Sequence, residues 1–273
     1  NIEANACNLT RATVNQIDTI LHPIARIPDT IAGVIEKGSY PMDDLTNVLH
    51  LIISRSEEVF GSAIAFEPYA CVSNRYYYAP YFYRDGDEIR YRDLGTKAYN
   101  YFAWDWYTAP KKRGCSVWSE PYYDEGGGEV MMSTYSAPFH AQRGGTDVFA
   151  GVVTADISLD WLRHLIAHIK VGDTGYAFLI SKEGMIVTHP DDALVMKETI
   201  FSLADWADSP KLREIGEAMV AGQTGLVQTA SIVTGKKCWL AYGPLSSAGW
   251  SLGVFFPQDE LMADLVYLNH VAA

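Results

Sequence analysis

Residues 171–190, which read VGDTGYAFLISKEGMIVTHP, constrain the fold of this chain more than any other segment. Two short apolar runs, at residues 176–180 and 185–187, are joined by a Lys-Glu-Gly turn. Gly184 can take the positive φ angle that a short hairpin turn requires. The segment therefore predicts a β-hairpin, and it contains no catalytic motif.

The N-terminal region predicts one long amphipathic helix. Isoleucines at positions 17, 20, 24, 27 and 31, followed by Val34, recur at steps of three and four and leave one apolar stripe. Pro23 and Pro28 interrupt this pattern and predict a kink or a break, and Gly38 with Pro41 ends it. The stripe also predicts a parallel homodimer formed through this helix.

The rest of the chain alternates between helical and strand-like patterns. A second helix is predicted over residues 42–56, and strands over residues 62–67, 76–83, 114–118, 130–137 and 148–157. A helix at 160–170, the hairpin, a helix at 208–221, strands at 225–233, 237–244 and 250–256, and an exit helix at 259–271 follow. This order predicts an α+β fold in which a long N-terminal helix precedes two tandem modules, each with a central antiparallel sheet flanked by helices.

Charge and composition exclude several classes of protein. The formal net charge is −12, with 21 Lys and Arg against 33 Asp and Glu. A nucleic-acid partner is not expected, because phosphate contacts need clustered basic residues. The sequence contains no run of about 18 apolar residues, so no membrane span is predicted within it.

The four cysteines, Cys7, Cys71, Cys115 and Cys238, form no C-x-x-C pair, so no zinc or redox site is expected. Buried free thiols are the favoured interpretation, and one or two disulfides remain an alternative. No nucleophile motif, P-loop or dinucleotide fingerprint is present, and the Gly126–Gly128 run lacks the features of a phosphate cradle. We therefore predict no cofactor, no metal and no catalysis by this segment.

Five motifs in a fixed order resemble those of a known family. They are Trp106-Tyr107, the segment WSEPYYD at 118–124, the segment GVVTADISL at 151–159, the hairpin ending in His189-Pro190, and Gly249-Trp250. Together they resemble the extracellular double Cache domain, a tandem of PAS-like modules in bacterial sensor histidine kinases and chemoreceptors. The resemblance implies a signalling and dimerisation helix (1–40), a membrane-distal module that binds the ligand (41–165), a membrane-proximal module (166–257) and the start of an exit helix (258–273).

The resemblance also implies a location and a partner. The segment is expected to be periplasmic or extracellular, in a receptor that is anchored in the cell membrane. Because the sequence begins and ends inside helical patterns, we expect it to be part of a longer protein. Its partner is expected to be a small molecule, an amine or an amino acid, which shifts the exit helix relative to the N-terminal helix.

A subset of double Cache domains that resembles this chain binds amino acids through a short set of positions. These are an Arg two residues before a Trp-Tyr pair, a Tyr-x-Asp, and a later Asp. Trp106 and Tyr107 match the Trp-Tyr pair, Tyr122 and Asp124 match the Tyr-x-Asp, and Asp156 matches the later Asp. The resemblance implies that these residues contact the ligand.

Trp104 occupies the position of the Arg and changes the expected chemistry. An Arg would hold a ligand carboxylate by two parallel hydrogen bonds, whereas Trp offers one N–H and an aromatic face. Asp124 and Asp156 suit an ammonium group, and the aromatic residues can add cation–π contacts. The site therefore favours a cationic amine over an α-amino acid. Three other arginines are alternative partners for a carboxylate: Arg75, Arg84 and Arg113.

Structural roles compete with each of these assignments. Trp106 and Tyr107 can be core aromatics, Asp124 can serve the adjacent glycine turn, and Asp156 can accept a structural hydrogen bond. Two other functions stay open. One is a ligand-free interaction module whose distal pocket is filled by its own aromatic side chains, and the other is a small hydrolase that uses the two aspartates.

Overall fold

The computed structural model describes residues 2–38, 40–169 and 171–260 of the chain. These residues form two compact units. The central unit is His22–Trp161, and the terminal unit combines residues 2–21 with residues 162–260. The predicted domain limits at residues 40, 165 and 257 stay predictions.

One uninterrupted helix, α1, spans Ile2–Lys37 and contains both Pro23 and Pro28. The helix is therefore not broken at either proline, and the alternative of a kink stays a prediction. A proline removes one backbone hydrogen bond and crowds the preceding turn of a helix. Burial opposes that cost, since Leu21 and Ile24 on either side of Pro23 are almost fully buried. Helices in proteins are stabilised mainly by packing of their apolar face. A second helix, α2, covers Met42–Arg55.

The apolar stripe of α1 serves the chain's own cores. Ile17, Ile24 and Ile31 are buried, whereas Val34 is 41% exposed. The stripe therefore contributes to the folding of both units and is largely covered. The homodimer inferred from it stays a prediction, and it would need other apolar surface.

The central unit is built on a seven-stranded antiparallel sheet in the order β3-β2-β1-β7-β6-β4, with β5 also paired to β6. Its strands are β1 (Gly61–Phe66), β2 (Pro80–Asp85), β3 (Glu88–Asp93), β4 (Val117–Trp118), β5 (Tyr122–Tyr123), β6 (Met131–Arg143) and β7 (Thr146–Ser158). Strands β3 and β5 were not predicted. The first reads EIRYRD and lies at a sheet edge, where few apolar residues are needed, and the second has only two residues.

The two faces of this sheet carry different layers. On one face, α1 and α2 contribute Ile31 and Leu49, which pack with Val153 of β7. On the other face, a buried aromatic layer that includes Tyr81 and Tyr101 packs with Val152. Neighbouring residues of β7 point to opposite faces because side chains alternate along a strand. Each fully buried large apolar side chain stabilises the fold by roughly 1.5–3 kcal/mol.

Trp106 and Tyr107 lie on a helix, α3 (Asp105–Arg113), that was not predicted from the sequence. It follows a 3-10 turn at Tyr101–Ala103 and ends at Gly114, whose φ is 66°. Nine residues with an internal proline give too short a pattern for a periodicity signal. The burial of its two aromatic side chains, which belong to the aromatic layer, stabilises this short helix.

The terminal unit contains a five-stranded antiparallel sheet in the order β10-β11-β12-β8-β9. Its strands are β8 (Tyr176–Ile180), β9 (Ile186–Thr188), β10 (Gly225–Ala230), β11 (Lys237–Leu245) and β12 (Trp250–Pro257). The helices in this part of the chain are α4 (Leu159–Ala167), α5 (Ile200–Trp206) and α6 (Pro210–Val220). The predicted hairpin is confirmed as β8 and β9, and Gly184 has a φ of 84° in the turn between them.

The core of the terminal unit lies between its sheet and helices α5 and α6. Phe178, Leu240 and Phe255 from three adjacent strands pack with Ile200 and Ile215 from the two helices. The short helix α5 was not predicted, and its N-cap forms a capping box between Thr199 and Ser202. Most of the predicted exit helix at 259–271 falls outside the described residues, although residues 258–260 are helical.

Asp18 fastens α1 to the turn between β11 and β12 within the terminal unit. Its carboxylate accepts hydrogen bonds from the backbone N–H groups of Ser246 and Ser247, each at 3.1 Å, and from both of their hydroxyls. Burial opposes ionisation of Asp18, but these hydrogen bonds outweigh it and lower its pKa.

Two further properties bear on the sequence-based expectations. Within the part of the chain that the structure describes, no helix is both long and apolar enough to cross a membrane. All four cysteines are free thiols, with Cys238 buried and Cys115 exposed.

Candidate functional site

Four of the six predicted site residues line one pocket on the aromatic face of the central sheet. Trp106, Tyr122, Asp124 and Asp156 lie around it, and five further residues complete its wall: Ala63, Tyr81, Leu94, Tyr99 and Thr154. Antiparallel pairing brings together the residues on β1, β2, β5 and β7, and packing on the sheet adds those from the segment after β3, from α3 and from the loop after β5.

Trp104 and Tyr107 stand behind this wall. The Trp104 ring stacks on Tyr99, with ring centroids 5.3 Å apart and an interplanar angle of 12°, and it also contacts Tyr122. The Tyr107 hydroxyl donates a hydrogen bond to Glu67, 2.7 Å away. Trp104 therefore supports pocket residues, while Tyr107 is a core aromatic with a bonded hydroxyl.

Asp124 combines the two roles that the sequence left open. Its backbone carbonyl accepts from the N–H of Gly127 and of Glu129, which closes the glycine turn. Its side chain faces the pocket, where Oδ1 accepts from the Tyr99 hydroxyl at 2.5 Å and Oδ2 accepts from Gly128 N–H at 2.6 Å. A Cβ on Gly127 would approach Oδ2 to 2.2 Å, so the turn requires glycine there.

Asp156 lies in the middle of the sheet on β7. It is directly opposite Thr134 of β6 and Gly61 of β1. The Thr134 hydroxyl donates to Asp156 Oδ1 at 2.8 Å and lies 2.7 Å from the Tyr122 hydroxyl. The Asp156 side chain therefore faces the polar pocket. Because it is hydrogen-bonded there, a carboxyl group can lie within an otherwise apolar strand.

Burial and the neighbouring Asp124 make ionisation of Asp156 unfavourable. Burial, and then the negative charge of Asp124, raise the pKa of Asp156 to about 8, although hydroxyls of Thr134 and Tyr81 favour its charged form. Burial also raises the pKa of Asp124, against hydrogen bonds from Tyr99 and Gly128. A positive charge placed in this pocket would therefore be energetically favourable.

The pocket wall contains no cationic side chain among its nine described residues. Arg92, behind the glycine turn, donates to the carbonyls of Gly126 and Gly127. Arg75 pairs with Asp93 at 3.1 Å, and Arg84 donates to backbone carbonyls that include Val59. Neither of these two arginines, nor the exposed Arg113, lines the pocket, although all three were alternative carboxylate partners.

The open space inside this wall is ≈ 10 Å³, about enough for one water molecule. The Tyr99 phenol takes the position beside Asp124 that a ligand donor would occupy. The indole N–H of Trp104 donates to the Tyr99 carbonyl at 3.1 Å. This hydrogen bond and the ring stack both hold Tyr99 in its position. Entry of a ligand requires Tyr99 to move.

Sequence reasoning missed Tyr99, Tyr81 and Thr134. Tyr99 lies five residues before Trp104 in a segment crowded with aromatics, so its type carried no distinguishing signal. The position of Thr134 beside the pocket is set by the register between β6 and β7, which pairs Thr134 with Asp156, 22 residues away in the sequence. Tyr81 fits because Gly61 opposite Asp156 has no side chain, and a Cβ there would lie 2.3 Å from the Tyr81 hydroxyl.

Family comparison agrees with this architecture. Residues 132–270 match the Cache 3/Cache 2 fusion domain, and residues 45–164 match the first PDC sensor domain of methyl-accepting chemotaxis protein-like sequences. The chain belongs to the Cache family of sensor domains. The Cache fold inferred from the hairpin and the four other motifs is thereby confirmed.

Individual relatives are similar over part or all of this Cache domain. Methyl-accepting chemotaxis protein McpG of Pseudomonas putida is 32% identical over 163 residues, which is 59% of this chain and 23% of that protein. The chain thus spans about a quarter of that curated relative. The extracellular domain of mmHK1S-Z3 is similar with a TM-score of 0.85 and 24% identity, covering 98% of both chains.

A third relative is the ligand-binding domain of the Pseudomonas aeruginosa amino acid chemoreceptor PctB, solved in complex with L-Arg. It has a TM-score of 0.67 and 21% identity, and the alignment covers 98% of this chain and 93% of that one. At this level of identity the likeness concerns the fold.

Asp156→Asn is expected to stabilise the central unit at high pH. The unfolded carboxyl has a pKa of about 3.9 and the folded one a pKa of about 8, so the native state holds the extra proton. The parent therefore loses stability as the pH rises through this window. At about pH 9 the variant should exceed the parent by more than about 1 kcal/mol, and near pH 4 the two should agree.

Urea unfolding followed by tryptophan fluorescence measures this difference. Asp147→Asn is the matched control, because Asp147 is an exposed aspartate on the same strand. A variant at position 156 that is less stable than the parent at both pH values would contradict the assignment.

Proposed function

We propose that this chain is the extracytoplasmic sensing segment of a transmembrane signalling receptor, and that its central unit binds a small cationic amine or the ammonium group of an amino acid. Membership of the Cache family and similarity to chemoreceptor and extracellular sensor domains support the general role. The segment acts by binding, with no catalysis of its own. The central unit covers most of the expected membrane-distal module, residues 41–165.

The pair of buried carboxyl groups, Asp124 and Asp156, is the observation that carries the choice of ligand. Both are at most 3% exposed, and none of the described residues that line their pocket is a Lys or Arg. A ligand ammonium supplies the missing positive charge and three N–H donors, which buried carboxylates bind strongly. Trp106 and Tyr122 in the wall can add cation–π contacts.

The ligand exchanges places with Tyr99 in this proposal. Its ammonium replaces the phenol hydroxyl on Asp124, and the stacked Trp104 follows the movement of Tyr99. The segment that contains Tyr99 and Trp104 lies directly before α3, so its displacement on ligand binding would shift this helix. Such a change has free energy to drive it only because the ammonium interacts with Asp124 and Asp156 in one state alone.

A second candidate is the ligand-free interaction module. The observation in its favour is the space of ≈ 10 Å³ inside the pocket, which the chain's own aromatic side chains leave. In that case Tyr99 is a permanent part of the core. The two functions differ in one measurable respect, namely whether any amine or amino acid binds to the chain.

The chain is expected to bind at least one member of a panel of alkylamines and L-amino acids in isothermal titration. Asp156→Asn should weaken that binding by about tenfold or more, since a hydrogen bond to a charged group contributes about 1.5–3 kcal/mol. Asp147→Asn, with the same change at an exposed position, should bind like the parent. Absence of binding across the whole panel would leave the ligand-free module as the better function.

Trp104→Arg is expected to shift the preference from amines towards amino acids. A guanidinium beside Tyr99 and Tyr122 could pair with a ligand carboxylate through two hydrogen bonds. We expect the ratio of amino-acid to amine affinity to rise by about tenfold or more. Trp104→Gln, which removes the indole without adding a charge, is the control, and an equal rise with Gln would contradict this role.

We also propose that the receptor functions as a membrane-tethered homodimer. The surface that supports this lies on α1 and α2 in the central unit, where Val34, Val48 and Leu51 are 39–54% exposed beside a shallow apolar groove. Exposed apolar surface of this kind is typical of an interface. A ligand-dependent shift of the exit helix relative to α1 would then carry the signal towards the membrane.

Leu51→Glu combined with Val48→Glu is expected to abolish the concentration-dependent dimer that sedimentation should detect for the parent chain. Two carboxylates on each copy would repel across a symmetric interface. Val233→Glu, at a residue that is 49% exposed in the terminal unit, is the control and should sediment like the parent. A parent chain that is monomeric at high concentration would contradict the proposal.

A further inference from the structure

The terminal unit contains a cavity of ≈ 260 Å³, much larger than the ≈ 10 Å³ between the aspartates of the central unit. It lies between α4, the loop before β8, and the end of the β8–β9 hairpin. The lining residues that matter for its chemistry are Arg163, His189 and Asp192, together with the apolar residues Ile166, Ile169 and Ala177. Neither the sequence motifs nor the family comparison assign a function to it.

His189 presents a buried donor in this region. The residue is 4% exposed, and its Nδ1 accepts a hydrogen bond from the backbone N–H of Asp191 at 3.0 Å. Because Nδ1 accepts, the ring proton of the neutral imidazole is on Nε2. Burial lowers the pKa of His189 and keeps the ring neutral.

No hydrogen-bond acceptor contacts Nε2 among the described residues. The rings of Tyr176 and Phe178 are packed against the imidazole, with centroids 5.4 and 6.2 Å away, and aromatic faces are weak acceptors. Nε2 is itself buried beneath these rings, so a ligand in the cavity does not contact it, and His189 contributes only to the wall.

Arg163 adds a positive charge to the same cavity. Its guanidinium lies 3.6 Å from the carboxylate of Asp192, and the two side chains are 42% and 70% exposed. An ion pair this exposed contributes little, so Asp192 can yield its place to another carboxylate. A guanidinium in an otherwise largely apolar cavity selects an anionic oxygen ligand.

The other residues of the cavity wall favour a ligand whose remaining part is a short hydrocarbon chain. Ile166, Ile169, Ala177 and Pro190 present aliphatic groups to the cavity. A short hydrocarbon chain would remove this surface from water and gain about 0.8 kcal/mol per methylene group, or nearly fourfold in affinity.

We propose that this cavity is a second ligand site, which binds a small aliphatic monocarboxylate through Arg163 and the aliphatic residues of its wall. The site is independent of the amine site proposed for the central unit. Gly175 in its wall follows directly on Asp173 and Thr174, whose backbone N–H groups donate to Glu260. A ligand here would therefore touch the loop that holds the last described turn of the chain.

The test is isothermal titration of the sensor chain with the sodium salts of propionate, butyrate and valerate, using butyramide as the uncharged comparison. We expect a dissociation constant near or below about 1 mM for at least one acid and no binding of butyramide. Arg163→Met and the cavity-filling Ala177→Leu should each weaken binding by about tenfold or more.

Arg213→Met is the matched control, because Arg213 is an exposed arginine of the same unit that also pairs with an aspartate, Asp205. It should bind the acid like the parent. Circular dichroism melting checks that each variant folds. The substitutions at positions 163 and 177 change the cavity from two different elements, α4 and β8. Absence of binding by all three acids, equal binding of butyramide, or parent-like affinity in both variants would overturn the proposal.

Discussion

The antiparallel pairing of β7 with both β1 and β6 is the constraint on which the candidate site depends. This pairing places Asp156 opposite Gly61 on one side and Thr134 on the other. The glycine leaves room for the Tyr81 hydroxyl, and the threonine supplies a hydrogen bond to the carboxyl group. A shift of one residue in register would turn Asp156 towards the helices on the opposite face, away from the Thr134 and Tyr81 hydroxyls.

Burial of two carboxyl groups in one aromatic layer then sets the chemistry. Asp124 and Asp156 lie in a wall whose nine described residues include no cation. Burial raises the pKa of both carboxyl groups, and the negative charge of Asp124 raises that of Asp156 further. The chain satisfies this unfavourable arrangement internally through the hydroxyls of Tyr99 and Thr134. A site in which two buried carboxyl groups resist ionisation in this way gains most from a ligand that brings a positive charge.

The two units solve the problem of an internal pocket differently. In the central unit, large aromatic side chains fill the space on the sheet, so a ligand must displace one of them. In the terminal unit, short side chains such as Ala177 and the loop glycine Gly175 leave an open cavity beside α4. The same family of fold thus presents one closed acidic pocket and one open pocket with a basic residue.

The sequence by itself determined the α+β class, the β8–β9 hairpin and the family, because turn glycines and strand alternation are local properties. It also singled out Asp156, because a carboxyl group conflicts with an apolar strand, whereas Asp124 was assigned through the resemblance to the family. It did not predict helix α3, the continuity of α1 through Pro23 and Pro28, or the role of Tyr99. Only the tertiary structure decided these, because packing outweighs helix propensity. Tyr99 meets Asp124 across 25 residues through the packing of two loops, which no local sequence pattern encodes.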